Sequence, residues 1–228
     1  MRRIRELIAQ VQASHPRDHF FDRIEQTWAA SQQARAHYAA YDRALRAMDD
    51  QSWSELRSKA LKHFLDHRKG QLKQGFFNQL NEAFAYQYLV RRGYAGVSVL
   101  REDGKVTPDI KYMASGQVAF CEVKTIGISE EQLARWDAGG AFSGSIYSEL
   151  STGFLNKLDS TISTAWGQIT AQGTTGFIYL VVLFDDFTLT HYERYRAQIR
   201  RQINDHVAPS IHVKVGLLGN RKISKSPA

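Results

Sequence analysis

Cysteine is almost absent: Cys121 stands alone in 228 residues. One thiol excludes an intrachain disulfide framework and a cysteine-built zinc site. No apolar run approaches the roughly 20 residues that a membrane-spanning helix needs. The opening residues, MRRIRELIAQVQ, are basic but lack the apolar core and cleavage signal of a secretory leader, so they read as native helix. These absences predict a cytoplasmic protein that does not enter a membrane. What is present is ordinary for a globular chain, 43% hydrophobic and 23% charged residues. That suffices for one large domain or one domain with a helical extension.

The formal charge of +7 is unevenly spread. Residues 1–70 carry 13 basic and 9 acidic side chains, residues 71–190 carry 9 against 12, and residues 191–228 carry 8 against 2. A mildly acidic middle between basic ends suits a cation site framed by a phosphate-binding surface. Basic helices that are merely well solvated would give the same count.

Read in order, residues 1–68 are expected to be helical. After Pro16, apolar side chains recur at Phe21, Ile24, Trp28, Ala34, Tyr38, Tyr41, Leu45 and Met48, the face of one long amphipathic helix. Its aromatic stripe reads as core or as a partner interface. Asp49-Asp50-Gln51 breaks it, and Ser52-Trp-Ser-Glu55 has the pattern of a capping box that starts the next helix. His63 and His67, four apart, have no third ligand nearby and read as solvated or structural.

A further helix is expected over Phe76–Gly93, with Glu82 two positions from both Leu80 and Phe84. Strands follow at Val97–Arg101, Val106–Met113 and Gln117–Ile126, with turns at Asp103-Gly104 and Ser115-Gly116. The stretch 127–153 is rich in glycine and serine and carries Phe142 and Tyr147, a composition that suits a functional loop over a groove or a plain surface loop. Then come a helix with Leu155, Leu158, Ile162, Ala165 and Ile169 on its buried side, a strand at Gly176–Phe184 ended by Asp185-Asp186, a basic helix over His191–His206, and a strand at Ile211–Leu217. A cationic tail of Arg221, Lys222 and Lys225 closes the chain. The expected division is a helical region over 1–70 and a domain over 71–228.

The chemistry concentrates in TPDIKYMASGQVAFCEVK, residues 107–124. Side chains alternate along a strand, so Glu122 and Lys124 share a face while Cys121 and Val123 share the other. Asp109 lies 13 residues before Glu122, a separation that a hairpin turning at 115–116 can fold back on itself. Two carboxylates brought together need a cation between them. Carboxylate oxygens suit magnesium or manganese, and such an ion beside a lysine suits attack on a phosphodiester.

Pro108-Asp109 followed by Glu122-x-Lys124 resembles the PD-(D/E)xK nuclease superfamily, at the level of the superfamily alone. The likeness covers about residues 76–217 and leaves the helical first third outside. It implies an α/β fold of the restriction-endonuclease-like kind, an antiparallel meander plus crossover strands flanked by helices, here with an N-terminal helical extension. It further implies a magnesium-dependent endonuclease, with manganese as a substitute, acting on DNA. Asp109 and Glu122 would be metal ligands, the Val123 carbonyl a third, and Lys124 the lysine that assists the attacking water. Products would carry a 5′-phosphate and a 3′-hydroxyl. An acidic residue on the helix before the sheet matches Glu82, as a further ligand or water-orienting group. A glutamine or lysine on the helix after the Glu-x-Lys strand matches Gln168 or Lys157, with Gln168 favoured. Lys157, Arg194, Arg200 and Arg201 are the expected nucleic-acid contacts, and the N-terminal helices the expected surface for a second copy or a partner protein. The alternative is a catalytically silent member of the fold that binds nucleic acid or protein.

Overall fold

A computed structural model describes residues 1–67, 72–102, 107–127, 148–173, 175–183, 191–208, 210–216 and 222–225. The Asp103-Gly104 turn, most of the glycine-rich stretch with Phe142 and Tyr147, Asp185-Asp186 and Arg221 lie outside the described residues. The protein is α/β: N-terminal helices precede a six-stranded mixed sheet with helices interspersed. It divides into two compact units, residues 1–119 and 120–228. No described helix is long and apolar enough to cross a membrane.

The first unit holds α1 (Arg2–Ser14), α2 (Ile24–Ala30), α3 (Gln32–Leu45), α4 (Asp50–Lys62), α5 (Gln74–Arg91), β1 (Ala95–Val99) and β2 (Ile110–Ala114). The single long helix expected after Pro16 is instead α2 and α3. Ser31 interrupts it with an extended backbone, and its hydroxyl accepts from the Ala34 amide to start α3 afresh. The apolar spacing survives the break, so periodicity alone could not reveal it. At α4 the cap is Asp49 and not Ser52: the Asp49 carboxylate accepts from the Ser52 amide at 2.7 Å. Ser52 is buried, and its hydroxyl accepts from the Val99 amide, fastening β1 to α4. The aromatic stripe is core. Trp28, Tyr38 and Tyr41 are buried, and Phe21 packs against Tyr38, Phe64 and Phe76. Helix α5 is buried on almost every side and ends where Gly93 takes the left-handed conformation.

Ser115 and Gly116 both have positive φ, 50° and 79°, which is the two-residue turn that reverses a strand without splaying it. The chain leaves that turn into β3 (Gln117–Ile126), with the boundaries the alternation predicts.

The second unit carries the rest of β3, α6 (Thr152–Thr170), β4 (Gly176–Val182), α7 (Tyr192–Asp205), β5 (Ile211–Val215) and β6 (Lys222–Lys225). Strand order in the sheet is β1-β2-β3-β4-β5-β6. Pairing is antiparallel for β1 with β2, parallel for β3 with β4 and for β4 with β5, and antiparallel for β5 with β6. Strand β6 replaces part of the expected cationic tail, with Ile223 buried and facing Val213 in the ladder. Its core joins Leu158, Ile162, Ala165 and Ile169 of α6 to the Ile178, Leu180 and Val182 row of β4, with Ile199 and Ile203 from α7. At the start of β4 a Cβ on Gly176 would stand 2.2 Å from an Ile169 methyl and 2.9 Å from the Phe120 carbonyl oxygen. Only glycine allows α6 to lie this close to the strand.

Candidate functional site

In the first unit, Asp109 immediately precedes β2, and its carbonyl accepts from the Leu100 amide at 2.8 Å. That bond extends the β1–β2 ladder by one step and fixes the backbone of Asp109. Pro108 beside it is buried. Glu82 lies on α5, where packing against α4 leaves it 3% exposed. A carboxylate so deep needs a cation, and α4 supplies one. Lys59 donates to both Glu82 oxygens, at 3.0 and 3.2 Å, and its Nζ stands 3.9 Å from Asp109 Oδ1. Burial pulls the Lys59 pKa down, but the charges of Glu82 and Asp109 outweigh it and hold the ammonium above its ordinary range. Lys59 is therefore a charged residue inside the protein, gathering two of the expected site acids around one ammonium.

Lys59 was not among the expected site residues. The signal for it lies in α4 itself: Ser52, Leu56, Lys59 and Ala60 fall on one helical face and all are buried. A lysine on such a stripe needs a buried acid, but nothing in the spacing says that the acid is Glu82, 23 residues on.

A cavity of about 410 Å³ opens beside Lys59, lined also by Glu55, Ser58, Lys62, Arg101 and Glu102. Glu102 is held by Lys62 at 2.6 Å and by His63 at 3.2 Å. Burial would raise the Glu102 pKa, yet these two partners keep it below the usual carboxylate range. His63 also bonds Asp66, and His67 bonds the Leu65 carbonyl.

In the second unit, Glu122 and Lys124 do share a face. Lys124 Nζ stands 2.5 Å from Glu122 Oε1, with the Glu122 side chain 2% exposed and that of Lys124 30%. Pairing with β4 places Glu122 beside Ile178 and Lys124 beside Leu180, the row that faces α6 and α7. Cys121 and Val123 take the other face, beside Phe177 and Tyr179. The pair is thus a half-exposed ammonium laid on a buried carboxylate, at the end of an apolar row.

No family model, curated protein or solved structure matches the chain.

The remaining expected residues fall on helices of the second unit. Gln168 is half-buried on α6, and Lys157 is exposed on the same helix. Arg194, Arg200 and Arg201 are exposed on α7, whose other side buries Tyr195, Ile199 and Ile203. Arg196 is tied to Glu193 at 3.2 Å. Arg200 and Arg201 line a shallow cavity of about 380 Å³ together with Ala197 and Asn204.

Each unit carries oxygen donors that suit a hard divalent cation: the Asp109 and Glu82 carboxylates in the first, the Glu122 carboxylate and Val123 carbonyl in the second. Two features bear on such an ion. Both oxygens of Glu82 accept from Lys59, so an ion ligated by Glu82 would share that carboxylate with the ammonium. Among the described residues, no group of three or more His, Cys, Asp or Glu side chains is gathered into a ready-made metal cluster.

Proposed function

We propose that this protein is a metal-dependent nuclease of the restriction-endonuclease-like kind, acting on DNA. The observation that carries the reading is the Glu122–Lys124 pair, a buried carboxylate with a half-exposed ammonium 2.5 Å away at the end of a core strand. A structural lysine has little reason to sit there, because replacing a buried ion pair by apolar residues is often neutral or stabilising. Asp109, held by the β1–β2 ladder and partly exposed, supplies the second carboxylate of the motif.

In this reading Asp109 and Glu122 hold magnesium or manganese, with the Val123 carbonyl as a further donor. The ion, when bound, would polarise the phosphoryl group and lower the pKa of a water. Lys124 positions the attacking water and offsets the negative charge that develops on the phosphate. Lys59 sets a positive charge beside both Glu82 and Asp109, and Glu82 fixes Lys59. Gln168 gives secondary support from α6. The exposed arginines of α7 and Lys157 hold the phosphate backbone, a contact that is independent of sequence and sensitive to salt.

A second reading rests on Lys59. A lysine already seated between two acids is what a catalytically silent, DNA-binding descendant would use in place of a metal.

Cleavage of supercoiled plasmid and of single-stranded DNA, with magnesium, manganese or EDTA, separates the two. The expected result is metal-dependent nicking that falls more than about a hundredfold in Asp109→Ala, since even groups that only support a ligand cost 10–100-fold. DNA retarded on a gel but left intact under every condition would favour the silent reading. Cleavage that survives Asp109→Ala would remove Asp109 from the site.

A further inference from the structure

A cleft of about 360 Å³ lies in the helical region, between α1 and the segment from Phe21 to Trp28. The two walls follow from sequence. On α1, residues 5, 8, 9 and 12 fall on one helical face, so Arg5, Ile8, Ala9 and Gln12 line one side. Opposite them stand Phe21, Ile24 and Trp28. Ile8 and Phe21 are buried walls and Ile24 is half-buried, so the floor is apolar. The volume falls at the lower end of the range of small-molecule sites, roughly 300–1,000 Å³.

One wall group lacks something. Trp28 is 4% exposed, and its indole Nε1–H meets no acceptor among the described residues. A buried indole N–H ordinarily finds a partner, and leaving it without one is destabilising. The charges around the cleft divide unevenly as well. Glu25 is taken by Arg5 through two bonds, at 2.8 and 2.9 Å, and Asp22 is taken by His19 at 2.7 Å. The Arg5 guanidinium carbon also lies 5.6 Å from the Trp28 ring centre. Arg23 lines the same cleft and has no ion-pair partner among the described residues. The cleft therefore has an apolar floor, a buried donor in its wall that meets no acceptor among the described residues, and one cation with no ion-pair partner among them.

We propose that this cleft binds a small monocarboxylate with an apolar body. The carboxylate accepts from Trp28 Nε1–H, the Arg23 guanidinium meets its charge, and the body lies on Ile8, Phe21 and Ile24. The site is independent of the nuclease reading. It uses none of the acids or lysines of that site.

The test follows the indole resonances of the full chain in a proton–nitrogen spectrum, with the Trp28 signal assigned by its loss in Trp28→Phe. The probe is hexanoate, and hexanol is its uncharged counterpart. The expected result is a saturable shift of the Trp28 signal alone among the four tryptophans, with hexanol and the Arg23→Gln variant each binding about tenfold more weakly. Arg23 is exposed, so its replacement leaves folding intact. No saturation by about 10 mM hexanoate, a weaker affinity than small-molecule sites usually show, would overturn the proposal. So would equal shifts from hexanoate and hexanol, the result if a water or any neutral oxygen serves the donor. A uniform drift of all four indole signals would overturn it too.

Discussion

Replacing Lys59 by methionine is expected to destabilise the protein by about 3–5 kcal/mol, the usual cost of breaking a buried ion pair from one side. Methionine keeps most of the length and apolar stem of lysine, so packing changes little and the effect isolates the charge. What is lost is the cation that Glu82 meets at 3.0 and 3.2 Å and Asp109 at 3.9 Å. The measurement is the midpoint and slope of urea unfolding for wild type, Lys59→Met, Glu82→Gln and the double variant. The double variant is expected to recover more than half of the loss, because a neutral Glu82 site no longer needs a counter-charge. Manganese at millimolar concentration is expected to raise the Tm of Lys59→Met by more than it raises that of wild type, since a divalent ion can take the place of the missing ammonium. A loss below about 1 kcal/mol would place this trio in the class of solvated surface pairs and remove it from the site.

Lys124→Ala is expected to lower cleavage by about 10²- to 10⁴-fold, the span attributed to a positioned group that acts on a proton or on developing charge. DNA retention and the far-ultraviolet spectrum should stay close to those of wild type, because the Lys124 side chain is 30% exposed and is not part of the apolar core cluster. Some stability will be lost as well, since the Glu122 carboxylate is buried and gives up the partner 2.5 Å away. Cleavage rates should therefore be compared well below the unfolding temperature of the variant. Single-turnover rates within threefold of wild type would show that Lys124 is a counter-ion only, and the mechanism would have to use another group.

The parts of this protein that could be read from the chain are those set by short-range rules. Ser115-Gly116 announces a tight reversal, and the alternation after it fixes which way Glu122 and Lys124 point, so β3 and its paired charges were legible residue by residue. The apolar face of α6 was legible for the same reason, with only Leu155 left half-buried. What periodicity could not show were events that leave it unchanged. Ser31 stops one helix and starts another without disturbing the apolar spacing. Asp49 outcompetes Ser52 for the cap because Ser52 is drawn inward to hold β1. Strand β6 consists of residues that read as a solvated tail, and only the edge of β5 makes them a strand. Lys59 is the sharpest case. A charge on a buried stripe is visible, but its acids come from a helix and from the residue before a strand, whose packing no local pattern encodes.

The lone thiol described at the outset as a scarcity has a use in time rather than in structure. Cys121 is fully buried, one residue before Glu122 on the same strand. Its sulfur can meet a reagent in solution only when that strand opens. The rate of modification by an aromatic disulfide thus clocks the opening of the very segment that carries Glu122 and Lys124, with no engineered label. Across a titration with manganese, slower modification would register an ion held by this strand before any phosphodiester is cut.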